Sequence, residues 1–212
     1  MSTFLLTASQ TVGPFFEPCL LRDGACRNDL TGPATVGERI RIEGRVLDGD
    51  GVPVPDAMIE IWQADERGRY NHPDDAGTAP LDSDFTGFGR SGTGADGSYW
   101  FETIKPGPVP FDAQQMQAPH IVVTIFARGL LNHLVTRLYF ADEPTNASDP
   151  ILQYVPGERR ETLLAGRVDG RVDGRDQSRP YIASGDASDL APVVYRFDII
   201  LQGTGETVFF NL

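Results

Sequence analysis

Few side chains in this 212-residue sequence stand at spacings that by themselves announce chemistry. Its three histidines are His72, His120 and His133, with no His-x-His and no His-Glu-x-x-His pair among them. A metal held by these imidazoles would need donors that are distant in sequence and meet in space. Taken singly, each histidine reads as a hydrogen-bonded core or surface residue. Cys19 and Cys26, the only cysteines, show neither zinc spacing nor a Cys-x-x-Cys redox pair, so two reduced thiols are the plainer reading. A phosphate-cradling loop needs a Gly-Lys pair, but the sole lysine, Lys105, follows Ile104. Gly203-Thr204-Gly205 leads into a strand-like run where a dinucleotide site needs a helix. The Gly-x-Ser-x-Gly elbow of a serine hydrolase is absent.

Any site must therefore be assembled by the fold, and the elements that would assemble it are short. The chain holds 23 glycines and 16 prolines, which favours strands and turns over long helices. Period-two alternation begins at Arg39-Ile40-Arg41-Ile42-Glu43 and runs to Leu47, and the turn Asp48-Gly49-Asp50-Gly51 follows. Further strands are predicted at Ala57 to Ala64, Ser98 to Ile104, His120 to Ala127, Leu134 to Phe140, Val193 to Leu201 and Glu206 to Phe210. Helix is predicted at Glu158 to Ala165, with a helical turn at Asp149 to Tyr154. The expected class is all-β: an antiparallel β-sandwich with short helices and long loops, forming a single domain over 1–212. Residues 1–35 read as an N-terminal arm, and 168–192, where Val-Asp-Gly-Arg occurs twice, as a loop insertion.

Net charge is −12, and of the 18 basic residues only Lys105 is not arginine. Such a field repels nucleic-acid phosphates and anionic membrane surfaces, so no nucleic-acid or membrane partner is expected. An anionic ligand would need an arginine of its own. Met1 to Pro14 lacks the basic start and apolar stretch of a secretory leader, which points to the cytoplasm.

Several runs taken together are more specific. Ile59-Glu60-Ile61-Trp62-Gln63-Ala64 precedes Gly68-Arg69-Tyr70, and then come Lys105-Pro106-Gly107-Pro108 and Ala118-Pro119-His120-Ile121. In that order they resemble the intradiol ring-cleaving dioxygenases, from Thr7 to about Ala165 and again from Tyr195 to Leu212. The resemblance implies a sandwich fold and a non-haem Fe(III) held by two tyrosines and two histidines. Carried over position by position, the first tyrosine matches Tyr70 and the second Val109. The first histidine matches His120 and the second Val122, while an arginine three residues before the first histidine is Gln117 here. Valine offers no lone pair, so Tyr70 and His120 are remnants of a ligand set and no metal is expected on this chain.

Within the family some enzymes pair an iron-bearing beta chain with a homologous iron-free alpha chain. Phe126-Ala127-Arg128-Gly129, Thr136-Arg137-Leu138-Tyr139-Phe140, Arg159-Arg160-Glu161-Thr162-Leu163 and Gly205-Glu206-Thr207-Val208-Phe209-Phe210 resemble the alpha type. The resemblance then implies a non-catalytic subunit whose partner beta chain binds Fe(III) and cleaves 3,4-dihydroxybenzoate with O2 to 3-carboxy-cis,cis-muconate. In Gln10-Thr11-Val12-Gly13-Pro14 it implies that Thr11, Gly13 and Pro14 line the partner's substrate pocket, with Arg128 facing the substrate carboxylate. Other readings stay open: an independent β-sandwich binding module, a metalloenzyme built on Tyr70, His120 and acidic residues, or a subunit acting on another catechol acid.

Overall fold

The inward side chains of the first alternating segment, Ile40, Ile42 and Val46, are each at most 1% exposed, as a half-buried strand requires. The computed structural model describes residues 11–13, 15–75, 77, 84–168 and 192–211. Within them the strands are β1 (Arg39–Leu47), β2 (Met58–Trp62), β3 (Phe88–Gly92), β4 (Ser98–Ile104), β5 (Val109–Pro110), β6 (Met116–Gln117), β7 (His120–Phe126), β8 (Leu134–Phe140), β9 (Leu164–Val168), β10 (Val193–Arg196) and β11 (Ile199–Ile200). Two short α-helices accompany them, α1 (Phe16–Leu20) and α2 (Pro150–Tyr154). The chain is mostly β, as expected.

One sheet runs β11-β1-β10-β9-β8-β7-β2-β3, with β4 on the other edge of β1 and β5–β6 as a separate pair. Strand β9 joins its two halves, lying parallel to β8 and antiparallel to β10. Both halves feed one buried cluster: Ile40, Ile42 and Phe101 from one side, Ile59, Ile61, Ile121, Val123 and Phe140 from the other. Each such side chain contributes roughly 2 kcal/mol by leaving water. Gln63 of the Trp-Gln-Ala run stitches the halves together. Fully buried, it donates to the Ile104 carbonyl (3.0 Å) and accepts from the Thr103 hydroxyl (2.8 Å).

Several expectations need correction. The sheet is not purely antiparallel, since β1–β10, β1–β11 and β8–β9 are parallel. The predicted strand Val193 to Leu201 is split, although Ile40↔Val193 and Val46↔Ile199 share one register along β1. At the break the Phe197 carbonyl turns inward to accept from the Tyr99 hydroxyl (2.6 Å) and sits over Gly44. A Cβ at Gly44 would lie 1.8 Å from that oxygen, so the strand has room for nothing larger. The predicted helix Glu158 to Ala165 is a 3-10 segment, Gly157–Leu163, and its tail is strand β9. Leu164 and Ala165 are drawn into pairing with Tyr139 and Phe140, which overrides a weak helical propensity.

Glu206 to Phe210 forms no ladder. Its amides go singly to Gly203, Ile200 and Val135, and the Thr207 hydroxyl accepts from Ile200 N–H. Strand β3 and helix α1 were not anticipated. The expected turn at Asp149 to Tyr154 is α2, capped by Asp149. Pro14, residues 1–10 of the arm and nearly all of the 168–192 segment lie outside the described residues. Among those residues no helix is long and apolar enough to cross a membrane.

Candidate functional site

Strand β7 divides its side chains between two faces. Ile121, Val123 and Ile125 enter the main core, whereas His120, Val122 and Thr124 face the other way. On that second face the register sets Phe88, Trp62, Val122 and Arg137 side by side across β3, β2, β7 and β8. His120 stands opposite Tyr139.

Two loops complete the face. After β2 the chain turns through Asp65, whose Oδ1 accepts from Arg67 and Arg69 N–H at 2.9 Å each. The Gly107 amide donates to the Asp65 carbonyl (2.8 Å), tying the Lys105-Pro106-Gly107-Pro108 loop against this turn. Tyr70 emerges stacked on Trp62, with ring centroids 5.7 Å apart and 17° between planes. Val109, buried in β5, lies opposite Gln117 in β6. The four positions that the resemblance matches to a metal-ligand set, 70, 109, 120 and 122, are thus gathered on one face.

The arrangement does not fit a ferric ion. Val109 and Val122 supply no donor, and among the described residues no cluster of three or more His, Cys, Asp or Glu could hold a metal. What stands there is a cation of the chain's own. Arg137 Nη1 donates to Gln117 Oε1 (2.6 Å) and lies 3.4 Å from the Tyr139 hydroxyl. The sequence predicted a missing cation at Gln117. The guanidinium instead arrives from the neighbouring strand, and Gln117 holds it.

Behind Arg137 a buried network fixes the histidine. The Tyr139 hydroxyl donates to Asp149 Oδ1 (3.2 Å), and Asp149 also accepts from Ala118 N–H (2.7 Å) and Leu152 N–H (2.8 Å). The Ala118 carbonyl lies 2.8 Å from His120 Nδ1. Burial, helped by the Arg137 charge, pushes His120 down to about 4, against a weaker upward pull from Ala118 and Asp149. Burial raises the Tyr70 phenol, and Asp75 adds to this while Arg137 opposes it. Both groups are neutral at pH 7, a half-buried hydroxyl and a buried imidazole.

A pH dependence follows from His120. The unfolded histidine takes up its proton near pH 6.5 and the folded one only near 4. Between those values the unfolded state binds more protons, so stability rises with pH and falls on acidification. About 3 kcal/mol is at stake across the window. Urea midpoints measured from pH 7 to 4 should drop with this slope in the wild type. The slope should flatten by that amount in His120→Gln.

The positions that the resemblance assigns to a substrate pocket lie elsewhere. Thr11 and Gly13 are exposed, and Val12 between them joins Phe126, Ala127, Leu130, Leu131 and Phe210 around a cavity of about 440 Å³. Arg128 directly follows Ala127 of this cavity's lining. Its side chain is 69% exposed, and its Nε donates to Asp56 Oδ2. Glu17 of α1 is close enough to act on it electrostatically. The fold therefore brings Val12 of the arm beside Ala127, the residue before Arg128. Phe15 and Leu131 are 76% and 72% exposed. His133 stacks on Phe126, with centroids 5.5 Å apart, while His72 is exposed.

A family model described as Dioxygenase matches residues 12–203. The chain belongs to this family, the intradiol dioxygenases. Over the full length of both chains it is 43% identical to the protocatechuate 3,4-dioxygenase alpha chain of Burkholderia cepacia. Identity to the Pseudomonas putida alpha chain is 41%, covering 97% of this chain and 96% of that one. The B. cepacia beta chain is 38% identical, over 87% of this chain and 75% of its own length. Among solved structures, the dioxygenase domain of a dioxygenase carbohydrate-binding fusion from Streptomyces sp. SirexAA-E is 28% identical with a TM-score of 0.58, covering 92% of this chain and 97% of that one.

Proposed function

We propose that this chain is the iron-free alpha-type subunit of a protocatechuate 3,4-dioxygenase, paired with a homologous beta chain that carries Fe(III). The observation that carries this reading is the pair Val109 and Val122. A chain that otherwise matches alpha chains end to end has carbon where the family's second tyrosine and second histidine donate. On this reading the single domain folds as a sandwich and contributes half of an alpha–beta pair. The pair would open 3,4-dihydroxybenzoate with O2 between its hydroxyls, giving 3-carboxy-cis,cis-muconate. The ferric ion of the beta chain supplies the oxygen chemistry. This chain supplies pocket wall and interface.

Its own residues bind and orient. Thr11 offers a hydroxyl, Gly13 permits close backbone approach, Pro14 restricts the loop, and Arg128 presents a permanent cation to the substrate carboxylate. The exposed Phe15 and Leu131 beside the arm are apolar surface suited to burial against the partner.

The test is iron content and ring-cleavage activity of the chain purified alone and after co-expression with a beta chain. The chain alone should be colourless, iron-free and inactive, and the complex coloured and active. Stoichiometric iron in the isolated chain would overturn the reading. Failure to associate with any beta chain would favour an independent binding module. In the complex, Arg128→Ala should raise KM for 3,4-dihydroxybenzoate roughly 10-fold with kcat little changed. Catechol, which lacks the carboxylate, should be turned over as by the wild type.

A further inference from the structure

We infer that Asp56 is a positioning residue for Arg128, holding its guanidinium by the Nε edge so that the terminal fork stays free for a substrate carboxylate. The inference rests on the pocket-wall reading of Arg128 given above.

The two partners differ in freedom. Asp56 lies in the Val54-Pro55-Asp56 turn that enters β2, and this turn is pinned on three sides. Val54 N–H donates to the Val46 carbonyl (2.9 Å), the Thr93 hydroxyl donates to the Val54 carbonyl (2.8 Å), and Ala57 N–H donates to Thr93 Oγ1 (3.0 Å). The Asp56 side chain is only 19% exposed, against 69% for Arg128. Arg128 is anchored by Ala127, which is only 2% exposed, and is followed by Gly129 with φ +86 and open space around it. A long side chain on such a corner would otherwise sweep many rotamers, and a fixed carboxylate removes that freedom before substrate arrives.

The chemistry of the contact selects what remains. A guanidinium carries five N–H donors in a rigid fork. Asp56 engages the Nε edge, and no other hydrogen bond to Arg128 exists among the described residues. The two terminal NH2 groups therefore keep the parallel geometry that a carboxylate takes up bidentately. The cost is a negative charge near the site, with Glu17 adding to it. Asp56 thus trades some attraction for orientation, which suits a site that must register the ring as well as hold the acid.

The experiment uses the assembled alpha–beta enzyme carrying Asp56→Ala, Asp56→Asn or Arg128→Ala in this chain, with 3,4-dihydroxybenzoate and catechol as substrates. Asp56→Ala should raise KM for the acid roughly 5- to 10-fold, leave kcat near wild type and leave catechol kinetics unchanged. Asp56→Asn keeps an acceptor oxygen and should stay within about 2-fold. Combining Asp56→Ala with Arg128→Ala should add nothing to Arg128→Ala alone. If Arg128→Ala raises KM and Asp56→Ala does not, the positioning role is wrong while Arg128 keeps its place in the pocket. An Asp56→Ala loss that hits both substrates equally overturns it as well, by showing a general packing defect. If Arg128→Ala itself has no effect, the pocket-wall reading falls and the inference with it.

Discussion

Replacing Asp149 by alanine should lower the unfolding free energy of the chain by about 4 kcal/mol. The carboxylate is fully buried yet accepts three hydrogen bonds, from Ala118 N–H, Leu152 N–H and the Tyr139 hydroxyl. Losing the cap of α2 accounts for about 1 kcal/mol. The larger part comes from the donors left behind, because an unpaired buried N–H or O–H costs about 1–3 kcal/mol. Ala118 and Tyr139 are 2% and 0% exposed and can recruit no water without opening the fold. Equilibrium urea unfolding reads the loss directly. Asp149→Asn should fall between the wild type and Asp149→Ala, since its amide oxygen can replace one acceptor while its NH2 opposes a donor. The effect reaches the face that bears Tyr70 and His120, because the Ala118 carbonyl and the Tyr139 ring both hold His120. A loss under about 1 kcal/mol for Asp149→Ala would mean that solvent or a rearranged side chain satisfies these donors.

Gly68→Ala should be nearly as damaging. Gly68 has φ +78, a region that costs an L-residue roughly 1–2 kcal/mol, and a Cβ there would lie 2.0 Å from the Pro108 carbonyl oxygen. Two backbones meet at this point, so no side chain can rotate away. Relief requires the Gly68-Arg69-Tyr70 turn to part from the Lys105-Pro106-Gly107-Pro108 loop, breaking the bond from Gly107 N–H to the Asp65 carbonyl. A combined loss of about 3–4 kcal/mol is expected, again by urea unfolding. Tyr70 should be displaced with the turn. Tryptophan emission should then change in the native state, because Trp62 loses its stacking partner. Wild-type stability and emission in Gly68→Ala would show that the loops have slack that the contact distances deny.

How much of this was legible beforehand depends on the range over which each feature is decided. β4 and β8 have the limits that the sequence predicted, Ser98–Ile104 and Leu134–Phe140. Both are short runs rich in aromatic and β-branched residues, a property of the segment itself. Strand β9 was missed because Leu164 and Ala165 carry no alternation of their own and are strand only through pairing with β8, while Gly166 to Val168 pair with β10. The parallel pairings were missed for the same reason, since direction belongs to the partner and not to the segment. At the site, Tyr70, His120, Val109 and Val122 could be placed by motif. Arg137 could not, since it lies 20 residues from Gln117 and meets it only across the sheet.

What the chain cannot do at positions 109 and 122 is already written in its residue types. The valine side chains at 109 and 122 have no lone pair in any conformation, so no fold could make either a metal donor. The same holds for the chemistry on offer, a chain of net charge −12 whose cations are almost all arginine. Where those arginines act is a matter of folding alone. Arg137 is handed to Gln117 by strand register, and Arg128 to Asp56 across 72 residues of chain. A side chain's donors and charge are fixed by its covalent structure, whereas a hydrogen bond between residues far apart exists only once packing has brought both within about 3 Å.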